Sequence, residues 1–158
     1  MRWSADPRIL RDPVHLVAFG FGTGLSPYAP GTFGTLVGIP FVLLMAPLGL
    51  AAQLGVVFVG FLLGIYVCGE SARRLGVHDH GGIVWDEVVG YAVTMLAVPA
   101  EPLWMLAGFA LFRLFDIWKP WPIREADHSL KGGLGIMLDD VLAGIFAGAI
   151  LYLVHLLL

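Results

Sequence analysis

Residues 33 to 69 of the chain read FGTLVGIPFVLLMAPLGLAAQLGVVFVGFLLGIYVCG and contain no Asp, Glu, Lys or Arg. A helix crosses the hydrocarbon core of a bilayer in roughly 20 residues, so this stretch is long enough for two crossings. Pro47, Leu48 and Gly49 supply a turn between them. The stretch therefore predicts a helical hairpin in a membrane.

The composition of the whole chain agrees with this prediction. Of the 158 residues, 58% are hydrophobic and 13% are charged, whereas ordinary soluble domains carry about 25% charged residues. The N-terminus does not resemble a signal peptide, because its first twelve residues contain five charges and no apolar run follows directly. The composition indicates an integral membrane protein.

Two further apolar runs, 88 to 100 and 102 to 112, are also free of charge. Alone they are too short to cross a core of about 30 Å at roughly 1.5 Å per residue. Prolines at both ends of a turn at 99 to 102 predict a hairpin of roughly 84 to 99 and 102 to 117. This hairpin draws four charged side chains to the membrane boundary: Asp86, Glu87, Arg113 and Asp116.

A last apolar run, Val141 to Leu158, predicts a fifth span. The chain is therefore predicted to be one all-α domain, residues 1 to 158, of the polytopic helical membrane class. It should contain about four to five transmembrane or re-entrant helices, with loops on the cytoplasmic face. Whether the segment before Pro40 crosses completely stays open.

The distribution of cations predicts the orientation of these spans. All nine Lys and Arg residues precede the first span, lie between spans two and three, or flank the connection of spans four and five: Arg2, Arg8, Arg11, Arg73, Arg74, Arg113, Lys119, Arg124 and Lys131. The turns on the opposite face hold one charged residue, Glu101. Because Lys and Arg concentrate on the cytoplasmic side, the cation-rich face is predicted to be cytoplasmic and to hold any chemistry.

Two acidic pairs stand on this face, Asp86 with Glu87 and Asp139 with Asp140, and each pair is predicted to open a span. For either pair alone, capping of the unpaired N–H groups at a helix start is a sufficient explanation. Capping uses one carboxylate per helix, however. The adjacent acid must point elsewhere, which costs free energy beside a membrane unless it meets water, a cation or a partner.

Small residues follow one acid of each pair at intervals of four: Gly90 and Thr94 after Asp86, Gly144 and Gly148 after Asp140. Small residues at this spacing let helices pack closely in lipid. If the two stripes face the interior of the bundle, Asp86 and Asp140 face it as well.

Asp116 is predicted to join these acids from the end of span four. Pro120 disfavours helical conformation at Lys119, so the span should end near Asp116 and the chain should continue extended from 118 to 123. The tryptophans of this stretch fit a plain interfacial anchor equally well. The prediction is a ring of five carboxylates with two cations at its rim: Asp86, Glu87, Asp116, Asp139 and Asp140, with Lys119 and Arg124.

Five carboxylates at a low-dielectric boundary repel one another unless a cation lies among them. Oxygen ligands favour a hard divalent ion such as Mg²⁺, which commonly takes one or two carboxylates and leaves other positions to water and phosphate oxygens. The ring therefore predicts a Mg²⁺ site suited to phosphoryl transfer.

A glycine-rich stretch, GFGTGLSPYAPGTFGT at 20 to 35, precedes the first span. It has neither the lysine of a P-loop nor the spacing of a dinucleotide fingerprint. Thr32 or Thr35 is expected as a plain N-cap, and exposed N–H groups at such a turn can alternatively bind phosphate. Composition does not choose between the two.

The histidines and the cysteine are not predicted to form a site. In GVHDHGG, His78, Asp79 and His80 could hold a metal, but alternating residues in a glycine-flanked loop are more typical of a solvated turn. Cys68 is expected to be a buried apolar side chain without an internal disulfide, since it is the one cysteine of the chain.

Four motifs in order resemble the phosphatidylglycerophosphatase A family of bacterial membrane enzymes: GFGTGLSPYAPGTFGT, GVHDHGGIVWDEVVG, FRLFDIWKPWPIR and GGLGIMLDDVLAG. They extend over nearly the whole chain from Gly20 onward. The resemblance implies a Mg²⁺-dependent lipid phosphatase of phospholipid synthesis that converts phosphatidylglycerophosphate to phosphatidylglycerol and inorganic phosphate. It also implies a site facing the cytoplasm in the bacterial inner membrane, with a phospholipid substrate as partner and no nucleic acid; the oligomeric state stays open.

The resemblance also implies roles for individual residues, carried over by position. The expected catalytic residues are Asp86, Glu87, Asp116, Lys119, Asp139 and Asp140, and the five acids among them are the expected metal ligands. Thr32, Lys119 and Arg124 are expected to bind the substrate phosphate.

Two mechanisms and two other classes of function remain open. Either Mg²⁺ bound by the acids polarises the phosphoryl group and activates a water while Lys119 stabilises charge, or one acid forms an aspartyl-phosphate. A cation or proton transporter could use the same acids, although transport sites tend to lie near the midplane. A noncatalytic scaffold gives no reason for clustered acids.

Overall fold

The computed structural model describes residues 5 to 78 and 80 to 158. It contains seven α-helices: α1 (Pro13–Ala18), α2 (Pro30–Met45), α3 (Leu50–Leu75), α4 (Trp85–Met95), α5 (Pro102–Trp118), α6 (Ile123–Ser129) and α7 (Gly132–Leu157). Two short 3-10 helices, Pro7–Arg11 and Gly20–Leu25, flank α1. The described residues form no strand, which confirms the all-α prediction. Arg2 and Asp79, which enter the predictions above, lie outside the described residues.

Prolines and glycines separate the helices close to where they were predicted to. α2 ends at Met45 and α3 begins at Leu50, so the turn at 47 to 49 is confirmed. α5 begins at Pro102, where proline fits because the first turn of a helix leaves its N–H groups unpaired. α4 ends at Met95, earlier than the predicted boundary at 99, and 96 to 101 form the connection.

Two of the described helices, α3 and α7, are long and apolar enough to cross a membrane; each has 26 residues. α2 has 16 residues and α5 has 17, which correspond to about 24 and 26 Å. These lengths fall short of a hydrocarbon core of about 30 Å. The structure therefore agrees with a membrane protein, while the number of crossings stays a prediction.

The start of α7 was predicted wrongly. The helix begins at Gly132 rather than near Val141, so Asp139 and Asp140 lie about two turns inside it. Packing explains the early start: Met137 is fully buried against Cys68, with the two sulfur atoms 4.0 Å apart. This contact with α3 stabilises a glycine-rich segment whose intrinsic helix propensity is low. Cys68 is buried, as predicted.

Small residues join α4 to α7 at the centre of the bundle. A Cβ atom on Gly144 would lie 2.4 Å from the Gly90 carbonyl oxygen, so the two backbones approach as only glycine permits. Thr94 donates a hydrogen bond of 3.1 Å to that same carbonyl and lies 3.4 Å from the Gly144 carbonyl. Both stripes of small residues therefore face the interior of the bundle, and their contact carries Asp86 and Asp140 to the same end.

Larger apolar side chains fill the space on both sides of α4. Tyr91 packs with Phe112 in one buried cluster, and its hydroxyl donates a hydrogen bond of 2.9 Å to the Met105 carbonyl. Trp85 belongs to a second cluster beneath α1 and α3, and its indole N–H donates at 3.0 Å to the Gly60 carbonyl. Because both sides of α4 are held, the acids at its start have a rigid support.

Candidate active site

A cavity of about 280 Å³, the acidic cavity, lies at the end of the bundle where α4 begins and α5 ends. We call this end of the bundle the acidic end. The lining of the cavity includes all five predicted acids and the predicted lysine: Asp86, Glu87, Asp116, Lys119, Asp139 and Asp140. Asp127 and His78 line the same cavity. Residues from four helices and two connections are thus brought together at one end of the molecule.

Asp86 and Glu87 lie in the first turn of α4, where they were predicted. Among the residues that the structure describes, no side chain caps this helix by a hydrogen bond; Val84 occupies the N-cap position. The pair therefore lies at the positive end of the helix dipole without serving as a hydrogen-bonding cap. Capping is also wrong for Asp139 and Asp140, because neither lies at the start of α7.

Three of the acids form a compact group, the inner trio of Asp86, Glu87 and Asp140. One carboxylate oxygen from each lies within 4.8 Å of the others. Asp86 Oδ1, Glu87 Oε2 and Asp140 Oδ2 are buried and have no hydrogen-bond partner among the described residues. Buried oxygens without partners cost free energy. An all-oxygen set with unsatisfied acceptors at this spacing fits a hard cation such as Mg²⁺.

A second set of side chains, the outer group of Lys119, Asp127 and Asp139, is internally paired. Lys119 Nζ lies 3.0 Å from Asp139 Oδ2 and 3.0 Å from Asp127 Oδ1. Burial lowers the pKa of the Lys119 ammonium, but the charges and hydrogen bonds of the two carboxylates raise that pKa by more than burial lowers it. The pKa of Lys119 therefore lies above its ordinary value, and the ammonium stays protonated at neutral pH.

Arg113 on α5 neutralises the remaining side of the cavity. Its guanidinium pairs with Asp116, three residues further along the helix, and lies 3.9 Å from Glu87 Oε1. The start of α2 packs against this contact, because a Cβ on Gly31 would lie 2.8 Å from Glu87 Oε1. The glycine-rich stretch thus forms the wall behind Glu87.

Thr32 and Thr35, the two candidates in this stretch, do not act as N-caps. α2 begins at Pro30, and Ala29, in the left-handed conformation with φ 43°, occupies the N-cap position. Thr35 is fully buried and donates a hydrogen bond of 2.7 Å back to the Gly31 carbonyl within the helix. Thr32 is not among the residues that line the acidic cavity.

The chain after α5 does not run extended, as had been predicted. Lys119 adopts the left-handed conformation with φ 50° and ψ 62°, a turn follows, and α6 begins at Ile123. Ile123 is fully buried, so its apolar contacts hold α6 against the bundle. Arg124, the next residue, is exposed and lines a neighbouring pocket rather than the acidic cavity.

Sequence reasoning missed Asp127, the pairing role of Arg113, and the position of His78. Asp127 belongs to α6, which has seven residues and is too short to show a helical period. The available cue was IREADHS after two prolines, a charged stretch typical of a short surface helix. His78 lines the acidic cavity, whereas Asp79 beside it lies outside the described residues.

Comparison with known proteins finds the same family that the four motifs resemble. The sequence model of the phosphatidylglycerophosphatase A family matches residues 16–155. The Escherichia coli phosphatidylglycerophosphatase A is 49% identical over 146 residues, which cover 92% of this chain and 85% of that protein. The Haemophilus influenzae protein of the same name is 50% identical over 148 residues, with 92% and 91% covered.

A third relative carries a different name. A Bacteroides thetaiotaomicron protein provisionally named phosphatidylinositol-3-phosphatase is 40% identical over 145 residues, which cover 84% of this chain and 87% of that protein. No solved structure matches the chain. The family match begins within α1, ends within α7 and includes every residue of the inner trio and the outer group. The resemblance is therefore confirmed, and the chain belongs to the phosphatidylglycerophosphatase A family of phosphatases.

Proposed function

We propose that this protein hydrolyses the terminal phosphate monoester of phosphatidylglycerophosphate, releasing phosphatidylglycerol and inorganic phosphate, and that it uses Mg²⁺. The observation that carries the proposal is the inner trio, three buried carboxylate oxygens without partners, in the same cavity as a lysine ammonium. Membership of the family supports a lipid phosphate as substrate.

In this proposal Asp86, Glu87 and Asp140 hold the metal. Asp116 and Asp139 also line the cavity, but each already meets a cation of the protein, so they are the weaker candidates for ligands. Bound Mg²⁺ supplies positive charge against the phosphate oxygens and lowers the pKa of water. Without such an ion, a phosphate would meet the repulsion of uncompensated carboxylates.

Lys119 binds the phosphate and stabilises the charge that develops on it. An ammonium group has three N–H donors, and Asp139 and Asp127 accept two of them at 3.0 Å. The third donor remains for a phosphate oxygen. Because the two carboxylates fix the direction of the ammonium before substrate binds, little reorganisation is needed in the transition state.

The phosphoryl group passes to water in the proposed mechanism, with cleavage of the bond between phosphorus and the glycerol oxygen. The alternative is attack by a cavity carboxylate, which gives an aspartyl-phosphate that water then hydrolyses. Acid quenching after brief exposure to radiolabelled substrate separates the two routes. Label retained on the protein, and lost on treatment with hydroxylamine, contradicts direct attack by water.

The proposed location is the bacterial inner membrane, with about four to five transmembrane or re-entrant helices and the acidic end on the cytoplasmic side. The cations support this orientation, since Arg73 and Arg74 end α3 and Lys131 precedes α7 near that end. The turns at the other end carry Glu101 as their charged residue. A lipid precursor made on the cytoplasmic face then reaches the cavity without crossing the bilayer.

The direct test is phosphate release from phosphatidylglycerophosphate by the purified full chain in detergent micelles. We expect release that stops with EDTA and returns with excess Mg²⁺. Release that persists in EDTA contradicts the metal requirement, and no release from this lipid contradicts the substrate. Phosphatidylinositol 3-phosphate serves as the comparison substrate because of the Bacteroides relative. The transporter alternative has no support; it predicts ion flux in liposomes and no phosphate release.

A further inference from the structure

A second pocket, of about 510 Å³, adjoins the acidic cavity. It is lined by Trp118, Lys119, Pro120, Trp121, Arg124, Glu125 and His128. Lys119 lines both spaces and forms the wall between them. A ligand with two separate polar groups can therefore place one in each space, with Lys119 between them.

One cation of this second pocket, Arg124, is available to an anion. The Lys119 ammonium is already committed to Asp139 and Asp127. Arg124 is exposed and forms no ion pair or side-chain hydrogen bond with any residue that the structure describes, so its guanidinium is available. A guanidinium presents a planar fork of N–H donors that matches two oxygens of one phosphate. Glu125, the acid of this pocket, is suited to accept a hydrogen bond from a ligand hydroxyl.

The substrate of the proposed function has the matching arrangement. Phosphatidylglycerophosphate carries a terminal phosphate monoester and an internal phosphodiester, joined by one glycerol that bears a free hydroxyl. With the monoester in the acidic cavity, the diester lies one glycerol away, on the other side of Lys119. The diester is an anion at all physiological pH values, and it requires a cation other than those that serve the monoester.

The aromatic residues of the pocket agree with a lipid ligand. Trp118 is 59% exposed and Trp121 is 77% exposed, although both are large apolar side chains. Exposed tryptophans are typical of the headgroup level of a membrane protein. The acyl chains of a lipid bound by its diester at this pocket therefore begin at the depth where these side chains lie.

We propose that the second pocket is a subsite for the internal phosphodiester of the lipid substrate and that Arg124 is its principal ligand. The inference rests on the proposed function and refines it. Arg124 then binds the diester rather than the phosphate that is removed, which agrees with its absence from the lining of the acidic cavity. The subsite favours lipids with a diester over phosphatidate, whose single phosphate is a monoester.

The test compares Arg124→Gln with Lys131→Gln in the full-length protein. Lys131 is an exposed cation near the same end that lines neither space, so it controls for the loss of one surface charge. With short-chain phosphatidylglycerophosphate we expect Arg124→Gln to raise KM about tenfold, as for loss of one charge-assisted hydrogen bond, with kcat unchanged. Inhibition by phosphatidylglycerol, which keeps the diester, should weaken by a similar factor. Inhibition by inorganic phosphate should not change.

Each other outcome contradicts a specific part of the inference. If Arg124→Gln behaves like Lys131→Gln, the subsite is wrong while the proposed function stands. If inhibition by phosphate weakens together with binding of phosphatidylglycerol, Arg124 serves the terminal phosphate instead. If the wild-type protein releases no phosphate from this lipid, the proposed function fails and the subsite fails with it.

Discussion

The acidic cavity contains the same kind of side chain in two electrostatic situations. In the outer group, Asp139 and Asp127 both pair with Lys119. In the inner trio, Asp86 and Asp140 form no ion pair with any described residue, and Glu87 has an Arg113 contact as long as 3.9 Å. Carboxylates that the protein itself compensates hold groups in position, whereas uncompensated buried carboxylates indicate a site for a ligand.

Asp139 and Asp140 show how directly the fold makes this distinction. They are adjacent in sequence and both are buried, at 5% and 2% exposure. Successive residues of a helix point about 100° apart, so Asp139 meets Lys119 while Asp140 meets Asp86 and Glu87. Chemically identical neighbours thereby receive different roles, and the predictions below test that difference.

The largest expected effect is on turnover when the trio loses a charge. Asp140→Asn removes one of the carboxylates that would hold the metal against the phosphate, and we expect kcat to fall about 10²- to 10³-fold. Phosphate release at saturating lipid measures this. Glu101→Gln, at the opposite end, is the matched control and should retain full activity. Normal turnover of Asp140→Asn at limiting Mg²⁺ refutes a metal role for the trio.

Binding of Mg²⁺ should be visible without any substrate. A ligand that binds only the folded state stabilises it by about 2.7 kcal/mol at a hundredfold excess over Kd, which corresponds to about 5 to 10 °C in Tm. Melting followed by tryptophan fluorescence should show this shift for the wild-type protein and not for Asp140→Asn. An equal shift in both proteins means that the metal binds elsewhere.

A smaller effect on turnover is expected in the outer group. Lys119→Met removes one charge-assisted donor to the phosphate, so kcat should fall about 10- to 30-fold. Asp127→Asn should have a milder effect, because Lys119 keeps Asp139 as a partner. The measurement is kcat for Asp140→Asn, Lys119→Met and Asp127→Asn, which we expect to rise in that order. If Asp127→Asn is as damaging as Asp140→Asn, the distinction between the two groups does not hold.

The smallest expected effect is on Tm, which should shift in opposite directions when Asp139 and Asp140 are replaced one at a time. In EDTA, Asp140→Asn removes a buried carboxyl group that no cation compensates and should raise Tm by about 2 to 4 °C. Asp139→Asn takes one partner from Lys119 and should lower Tm by a similar amount. Thermal unfolding of both variants in the same detergent compares them. Two shifts of the same sign contradict the assignment of the neighbours to different groups.

The fold class was predictable because its signals are local in sequence. A run without charge requires lipid or protein around it, and proline and glycine interrupt helices wherever they occur. The turn at 47 to 49 and the start of α5 at Pro102 were found in this way. Close helix packing along the stripes of Gly90 and Gly144 was also predictable, because small residues at helical spacing let helices approach in lipid.

The predictions that were wrong depended on contacts between distant segments. The charge of Asp139 and Asp140 suggested that α7 starts at this pair, but packing of Met137 against α3 extends the helix back to Gly132. The prolines suggested an extended segment after Lys119, but burial of Ile123 stabilises α6 there. In both places tertiary packing outweighed the local preference of the chain.

By itself, the sequence determined the all-α class, the main turns and the set of acids at one end of the bundle. It did so because hydropathy and helix interruption are read along the chain. Only the tertiary structure decided which acid meets a cation. Lys119 reaches Asp139 across 20 positions of sequence, while Asp140 beside it joins Asp86 and Glu87 through the approach of α7 to α4. Charge compensation acts through space over a few ångströms, so it depends on packing rather than on order in the chain.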